Sequence, residues 1–523
     1  MDKVKQLGQY FTPDFVADFM VSLSTKPKNS RVLEPSCGEG VFLDSLKNAG
    51  YTKYTGLEID GTLDTSKHTV RNESFISAKF DTKFDLIIGN PPYVRWKNMA
   101  KTQKDELAAD PLWNKYFNSL SDYLYIFILK SVELLEEGGE LIFITPEYWL
   151  GTMHSRPLRN YLVDHGYAEE IYHFSETPVF SKVASAIIIF KYVKTRKAAA
   201  KTATVYRYSS RARLSAPDLQ AIGNNGAWSS FKIRPFTKNS SWILAPNAIR
   251  DELDTYEKKC QTGFGGLHQP TLIPEDEVPY VRLGDIAAIA NGLVSGFDMA
   301  FRLADEAVLN QKEKLAVLSV IKAKDMQPLS KTRTRRYIFL NGTTLTEKVL
   351  AKDYPAFYRQ LKNHKAGLGK RYAYGKNIPY WEWVFLRSIS LFDQDTRKIF
   401  VPCKERITNK DRLRFCLAEP NEYPTQDVTA VYLRKDVKES IYYILALLNS
   451  KVTYDWVRYK GLVKGGVAEF SERPLSAIPI RLIDWTNAVE VLHHKKIGLA
   501  VRRYLAGNGS LEEIDRLVLD LLG

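Results

Sequence analysis

The sequence predicts a doubly wound α/β unit over its first two hundred residues and a basic α+β unit over the remainder. Three observations carry that prediction. Apolar runs alternate with amphipathic stretches up to about residue 194, a small basic segment (KTRKAAAKTAT, 194–204) then interrupts the pattern, and the charge balance changes across it. Residues 1–200 hold 24 Lys and Arg against 25 Asp and Glu, whereas 201–523 hold 50 against 35. A near-neutral unit joined to a strongly positive one points to contact between the second and a polyanion.

Taken in order, Thr12-Pro13 is a helix start signal for 16–23. RVLE (31–34) reads as a short strand, the glycines at 38 and 40 open a helix, and YTGLEID reads as the next strand. FDLIIGN, Phe84 to Asn90, is a continuous apolar run of the kind found in parallel strands buried on both faces. An amphipathic helix is expected from about Asp122 to Glu137, closed by Gly138-Gly139, followed by the strand ELIFIT and, at 184–193, the buried strand ASAIIIFKYV. This is the pattern of a Rossmann-like sheet. Beyond the linker, strand-like VPYVRL and RRYIFL mix with loops rich in Gly, Lys, Tyr and Asn, and basic clusters recur at Lys331, Arg333, Arg335 and Arg336 and at 362–376. Two helices broken near Gly507 to Gly509 close the chain from about Asn487. The domains expected are therefore 1–200 and 205–523.

Composition excludes several classes. With 45% hydrophobic and 26% charged residues among 523, the chain is neither disordered nor fibrous. Cys37, Cys260, Cys403 and Cys416 form no CxxC pair, so neither a disulfide framework nor a zinc site is spelled out. No run approaches 18 apolar residues and the first residues lack a signal-peptide core. The expectation is a cytoplasmic protein with no membrane partner.

Two segments carry chemistry. In LEPSCGEG (33–40) a carboxylate and a glycine-bearing turn follow a strand and precede a helix, where α/β folds bind nucleotides. A dinucleotide site would want GxGxxG; the carboxylate of Glu34 suits a cofactor with an ammonium end instead, and Gly38 and Gly40 admit close approach. Glu58, at the end of the next strand, can accept two ribose hydroxyls. The second segment, Asn90-Pro91-Pro92-Tyr93, ends the strand FDLIIG. The prolines fix where the Pro91 carbonyl points, so that it and the Asn90 side-chain oxygen can take both protons of a planar amine, and Tyr93 offers a stacking face.

In this order, GQYFTP (8–13), Glu34 to Gly40, NPPY (90–93) and a basic C-terminal part, the chain resembles the amino-group DNA methyltransferases, specifically the gamma-class adenine-N6 enzymes of TaqI type. The resemblance implies S-adenosylmethionine as cofactor. Tyr10, Thr12, Glu34 and Ser36 would face its methionine part, Glu58 its ribose and Phe75 its adenine, with Gly38, Asn90 and Pro92 completing the wall. Ser74 stands where the family commonly has Asp; Glu73 beside it can substitute. Asn90 to Tyr93 would be catalytic, and Tyr93 and Phe180 would sandwich the target base.

The implied function is methyl transfer to adenine N6 in double-stranded DNA after base flipping, by a monomer that protects host DNA from a cognate restriction endonuclease without forming a stable complex with it. Four alternatives stand beside it. These are a fused nuclease-methyltransferase, RNA methylation, protein-glutamine methylation and a noncatalytic DNA-binding module. The motifs begin at residue 8 and no nuclease cluster follows, which speaks against the first; the basic extension speaks against the next two, and intact NPPY against the last. Cys37 lies inside the cofactor turn and reads as a packing residue, and the chemistry calls for no metal because the sulfonium methyl is already activated.

Overall fold

The computed structural model describes residues 11–180, 186–196, 201–210, 212–224, 226–260, 280–342, 345–372, 375 and 377–522. The chain forms two compact units, Met1–Arg250 and Asp251–Gly523.

The first unit is built on one nine-stranded sheet with strands β1 (Arg31–Glu34), β2 (Lys53–Leu57), β3 (Val70–Arg71), β4 (Phe84–Gly89), β5 (Leu135–Pro146), β6 (Gly166–His173), β7 (Ile187–Lys194), β8 (Ala203–Tyr208) and β9 (Trp228–Ile233), in the order β3-β2-β1-β4-β5-β7-β6-β8-β9. Neighbours from β3 to β5 run parallel, and β7 enters antiparallel between β5 and β6. Alternate residues serve the two faces. Val32, Leu86, Ile88, Ile142 and Ile144 pack with the helices Asp14–Ser22 and Val41–Asn48 through Val16, Met20, Phe42 and Leu46. Leu33, Ile87, Leu141 and Phe143 pack on the other side against the helix Tyr123–Leu134. Burial on both faces is why the strands read as unbroken apolar runs.

Two expectations need correction. The helix from Asp122 is shorter than its pattern suggests: Asp122 caps it, accepting the Leu124 N–H at 3.1 Å, and it ends at Leu134. Residues 135–139 already belong to β5, and the register with β4 shifts between Phe84↔Leu135 and Leu86↔Glu140. Gly138, at φ +78°, takes the left-handed conformation where the strand must absorb that irregularity, so the two glycines mark a bulge and not a helix stop.

The other correction concerns the boundary. Strand β8 pairs parallel with β6 and β9 antiparallel with β8, so the sheet continues past the basic linker and the first unit closes at Arg250. Residues 201–250 carry eight Lys and Arg and one Asp. Moved to their structural unit, they leave 32 basic and 26 acidic residues in 1–250 and 42 and 34 in 251–523. The charge contrast expected between the units belongs mostly to this one segment.

The second unit is α+β. Its largest sheet is antiparallel in the order Ala287–Asn291, Val428–Leu433, Lys398–Pro402, Cys416–Ala418, and two three-stranded sheets accompany it. RRYIFL supplies the strand Arg335–Ile338, whereas the described part of VPYVRL (280–283) carries an isolated bridge from Arg282 to Pro479 before the helical turn Leu283–Ile286, and its first two residues lie outside the described residues. Trp383, Phe301, Tyr337 and Phe400 are buried in its core. Helices Ala488–Leu505 and Leu511–Leu522 end the chain. No described helix is long and apolar enough to cross a membrane.

Candidate active site

The ends of β1, β2 and β4 open onto a cavity of about 270 Å³, at the position where open parallel sheets place ligands. Thr12, Glu34, Ser36, Gly38, Glu58, Phe75, Asn90 and Pro92 all line it. Tyr10 lies outside the described residues.

Glu34 ends β1 and is 1% exposed. Among the described residues its Oε2 has no hydrogen-bond partner, and burial, then the neighbouring Glu58, push its carboxyl well above the ordinary carboxylate range. Gly89 makes room for it, since a Cβ there would stand 3.3 Å from Glu34 Cγ. A buried carboxyl without a partner is a site that a cation would stabilise. The turn that follows needs left-handed backbone at Gly38 (φ +53°) and at Gly40 (φ +91°), the latter opening the helix Val41–Asn48. That turn aims the Gly38 N–H at Glu58 Oε2, 2.8 Å away, while the Asp60 N–H meets Glu58 Oε1 at 2.8 Å. Each oxygen of the anchored carboxylate keeps capacity for a further donor, such as a vicinal hydroxyl.

Cys37 sits inside the turn, 3% exposed. Burial, then Glu34 and Glu58, raise its thiol far above the usual range, so it supplies no thiolate.

Asn90 is held from several sides. Its Nδ2 donates to Thr12 Oγ1 at 3.1 Å, the Tyr93 hydroxyl donates to its Oδ1, and Ser36 Oγ donates to its backbone oxygen at 3.3 Å. The Tyr93 hydroxyl also reaches the Ile144 carbonyl at 3.2 Å, tying the loop to the end of β5. The amide is thereby oriented, with its oxygen on the acceptor side. Pro91 is buried and, with Tyr93, stands outside the cavity lining; Tyr93 packs on the face that carries the helix Tyr123–Leu134.

At the other end, Phe75 is 2% exposed with its ring 5.0 Å from Phe127. Ser74 accepts the Ile76 N–H at 3.2 Å, and Glu73 pairs with Arg71; both line the cavity. Gln103, Tyr123 and Phe127 also contribute, and sequence reasoning missed them. The available signal was Gln103, a polar residue four before the buried Leu107 on the inward face of a short helix.

Phe180 does not fit its expected place opposite Tyr93. It is 4% exposed and packs with Phe42, Tyr172 and Phe174 in the apolar cluster on the opposite face of the sheet from the one Tyr93 joins. An aromatic in that loop is as useful to the core as to a ligand.

Residues 34–180 match the model of the Eco57I restriction-modification methylase family. The chain is 43% identical over 527 residues to the type II methyltransferase M.HindII of Haemophilus influenzae, covering all of this chain and 99% of the relative. It is 42% identical to the type II methyltransferase M.HincII of Haemophilus influenzae over the same shares. Among solved structures it resembles the type IIL restriction-modification enzyme MmeI in complex with DNA, with a TM-score of 0.60 at 13% identity over all of this chain and 76% of that one. The cavity at the strand ends, the ordered NPPY loop and full-length similarity agree, and the chain belongs to the type II methyltransferases of restriction-modification systems.

Proposed function

We propose that the chain is a gamma-class enzyme that methylates adenine N6 in duplex DNA at a specific site, using S-adenosylmethionine, and that it protects host DNA from a cognate restriction endonuclease. The observation that carries this reading is the oriented Asn90 side chain on the wall of the same cavity as Glu34, whose buried Oε2 has no partner among the described residues.

The residues fit the cofactor. The orphaned oxygen of Glu34 suits the ammonium of its methionine part, Glu58 the ribose and Phe75 the adenine. Once bound, it supplies a methyl group already activated by a sulfonium. The chain's own task is to prepare the amine. An exocyclic amine is a weak nucleophile because its lone pair is delocalised into the ring. Acceptance of its two protons by Asn90 Oδ1 and the Pro91 carbonyl favours the pyramidal form that attacks. The amine must also stand within about 3 to 3.5 Å of the methyl carbon, which requires the base to leave the helix at a cost of a few kcal/mol. Tyr93 offers a stacking face for it, whereas Phe180 would have to leave its core to form the second face. Phosphate contacts from the second unit and from the basic segment 201–250 would offset the cost of extrusion. The enzyme acts as a monomer in this reading, each strand being methylated in a separate event.

Expressing the chain in a host without such modification and sequencing its DNA for modified bases tests the proposal. N6-methyladenine at one recurrent sequence is the expected result. Modified cytosine, or RNA or protein modification without DNA modification, would overturn it.

A further inference from the structure

Tyr93 is fastened on two sides. At the tip of its side chain, the hydroxyl is tied to Asn90 and to the Ile144 carbonyl. On the backbone side, the next residue, Val94, is 2% exposed and its carbonyl accepts the Tyr123 N–H at 2.9 Å, while Arg95 forms a bridge with Asp122. The chain leaving the NPPY loop is thus laid against the start of the helix Tyr123–Leu134.

Asp122 stands at that junction. Its Oδ1 caps the helix through the Leu124 N–H, a task that Ser or Asn performs as well as Asp. A cap alone does not call for a carboxyl that is 6% exposed and that burial raises above its ordinary range. The groups that act against that burial are the Tyr148 hydroxyl, then the Leu124 N–H, the Arg95 guanidinium and the Val94 N–H. Val94 directly follows Tyr93. Tyr148 lies on the turn Glu147–Leu150 after β5, packs on the same face of the sheet as Tyr93, and buries its hydroxyl beside the carboxyl, short of full hydrogen-bond geometry.

Taking Tyr93 as the stacking face of the function proposed above, on which this inference rests, we propose that Asp122 is a positioning residue for methyl transfer. Its carboxyl joins the backbone just after Tyr93 to the helix start and to the turn after β5, and so holds the Tyr93 ring where the extruded base meets it. Such placement matters because an error of about 1 Å in a reacting group can cost on the order of 10²-fold in rate.

The test uses the full chain and the duplex carrying the sequence modified in the expressing host. Asp122→Ser and Asp122→Asn both keep a helix cap. Each should lower the single-turnover methylation rate by roughly 10- to 100-fold, with affinity for S-adenosylhomocysteine within about twofold of the parent. A 2-aminopurine at the target position should be brighter in the variant complexes than in the parent's, since an extruded base that stacks poorly is less quenched. In a Tyr93→Ala background the same substitutions should cost less than about threefold and leave the fluorescence unchanged, the mark of residues that act as one unit. A parent-like rate in either variant, a loss that persists in full without Tyr93, or a loss of S-adenosylhomocysteine affinity would overturn the proposal. Failure of both variants to fold would make Asp122 a folding residue and overturn it as well. Absence of methyl transfer to adenine by the parent would overturn the function itself, which is a distinct failure.

Discussion

Glu34 and Asp325 are both carboxylates almost withdrawn from solvent, at 1% and 4% exposure, one in each unit, and their surroundings treat them in opposite ways. Around Asp325, Arg335 donates from Nε and Nη2 at 2.5 and 2.6 Å and Arg333 from Nε at 3.3 Å. Burial acts to raise its carboxyl, yet the two guanidinium groups outweigh it and hold the group below the usual range. Glu34 has one oxygen without a partner among the described residues and is pushed the other way. A scaffold satisfies its buried charges internally, whereas a binding site leaves some for the ligand to satisfy. The same contrast corrects the reading of positive charge. Of the cluster at 331–336, Lys331 pairs with Glu422, Arg333 and Arg335 with Asp325, and Arg336 donates to the Ala304 and Asp305 carbonyls. These groups hold the fold together, while Arg213 and Lys232 in the segment 201–250 are exposed with no ion-pair partner among the described residues.

Substitutions at the two kinds of site should separate in what they damage. The largest effect is on chemistry: Asn90→Ala should lower the single-turnover methylation rate by roughly 10²- to 10³-fold with cofactor affinity retained. An unchanged rate would remove Asn90 from the reaction. Next, Asp325→Ala strands two arginines and should cost about 3 kcal/mol of stability, read as a lower denaturant midpoint with no change in cofactor affinity. Because the folded carboxyl is held below its unfolded value, its contribution is present above that unfolded value and is lost as pH falls through the lower folded one. The parent's stability advantage over the variant should therefore shrink in acid.

Glu34→Gln should do the reverse. The raised folded value means that stability from Glu34 is complete at low pH and is lost as pH rises through that value, so above it the variant should melt at a higher temperature than the parent. Its affinity for S-adenosylhomocysteine should nevertheless fall about tenfold or more, as for a charge-assisted hydrogen bond. The ammonium lowers the Glu34 value on binding, so between the free and bound values the parent should release a proton and the variant none. Calorimetry in buffers of different ionisation enthalpy reads this directly, and proton release by Glu34→Gln would assign the effect elsewhere. The smallest effect belongs to the surface. Replacing Arg213 and Lys232 by Gln should reduce the dependence of log affinity for DNA on log salt by about 0.9 for each phosphate no longer neutralised, at unchanged melting temperature. An unaltered slope would move phosphate binding out of this segment.

How much of this was legible depends on what each element must satisfy. Strands β1, β4 and β7 are buried on both faces, and RVLE, FDLIIG and IIIF announce them. Strand β6 gave no such signal, because its Glu169 pairs with Lys191 and its Glu170 with the Tyr172 hydroxyl, so polar residues inside a sheet disguise it. Strands β8 and β9 follow a segment whose composition resembles a linker, which drew the boundary fifty residues too early. At the cavity, the positions of Glu34, Glu58 and Asn90 were readable because strand ends and fixed turns place them. Gln103 and Tyr123 were not, since they reach the cavity through helices whose placement is decided by packing alone. Phe180, which lies in an apolar cluster, is a related case: an aromatic residue says nothing by itself about which surface it covers.

Among the described residues the nine-stranded sheet ends at β3 and β9, and both margins are poor templates for another chain. Strand β3 is only two residues long and ends in Arg71. Strand β9 has three exposed positions, Ser229, Ser230 and Lys232. Short edges and lysine are what keep sheets from joining edge to edge, so part of the positive charge at 201–250 serves colloidal behaviour independently of any nucleic acid. A chain truncated near residue 200 would lose both β8 and β9 and uncover the side of β6, a longer strand with Ala168 and Ile171 buried. Such a fragment would be prone to self-association even with the strand-end cavity intact.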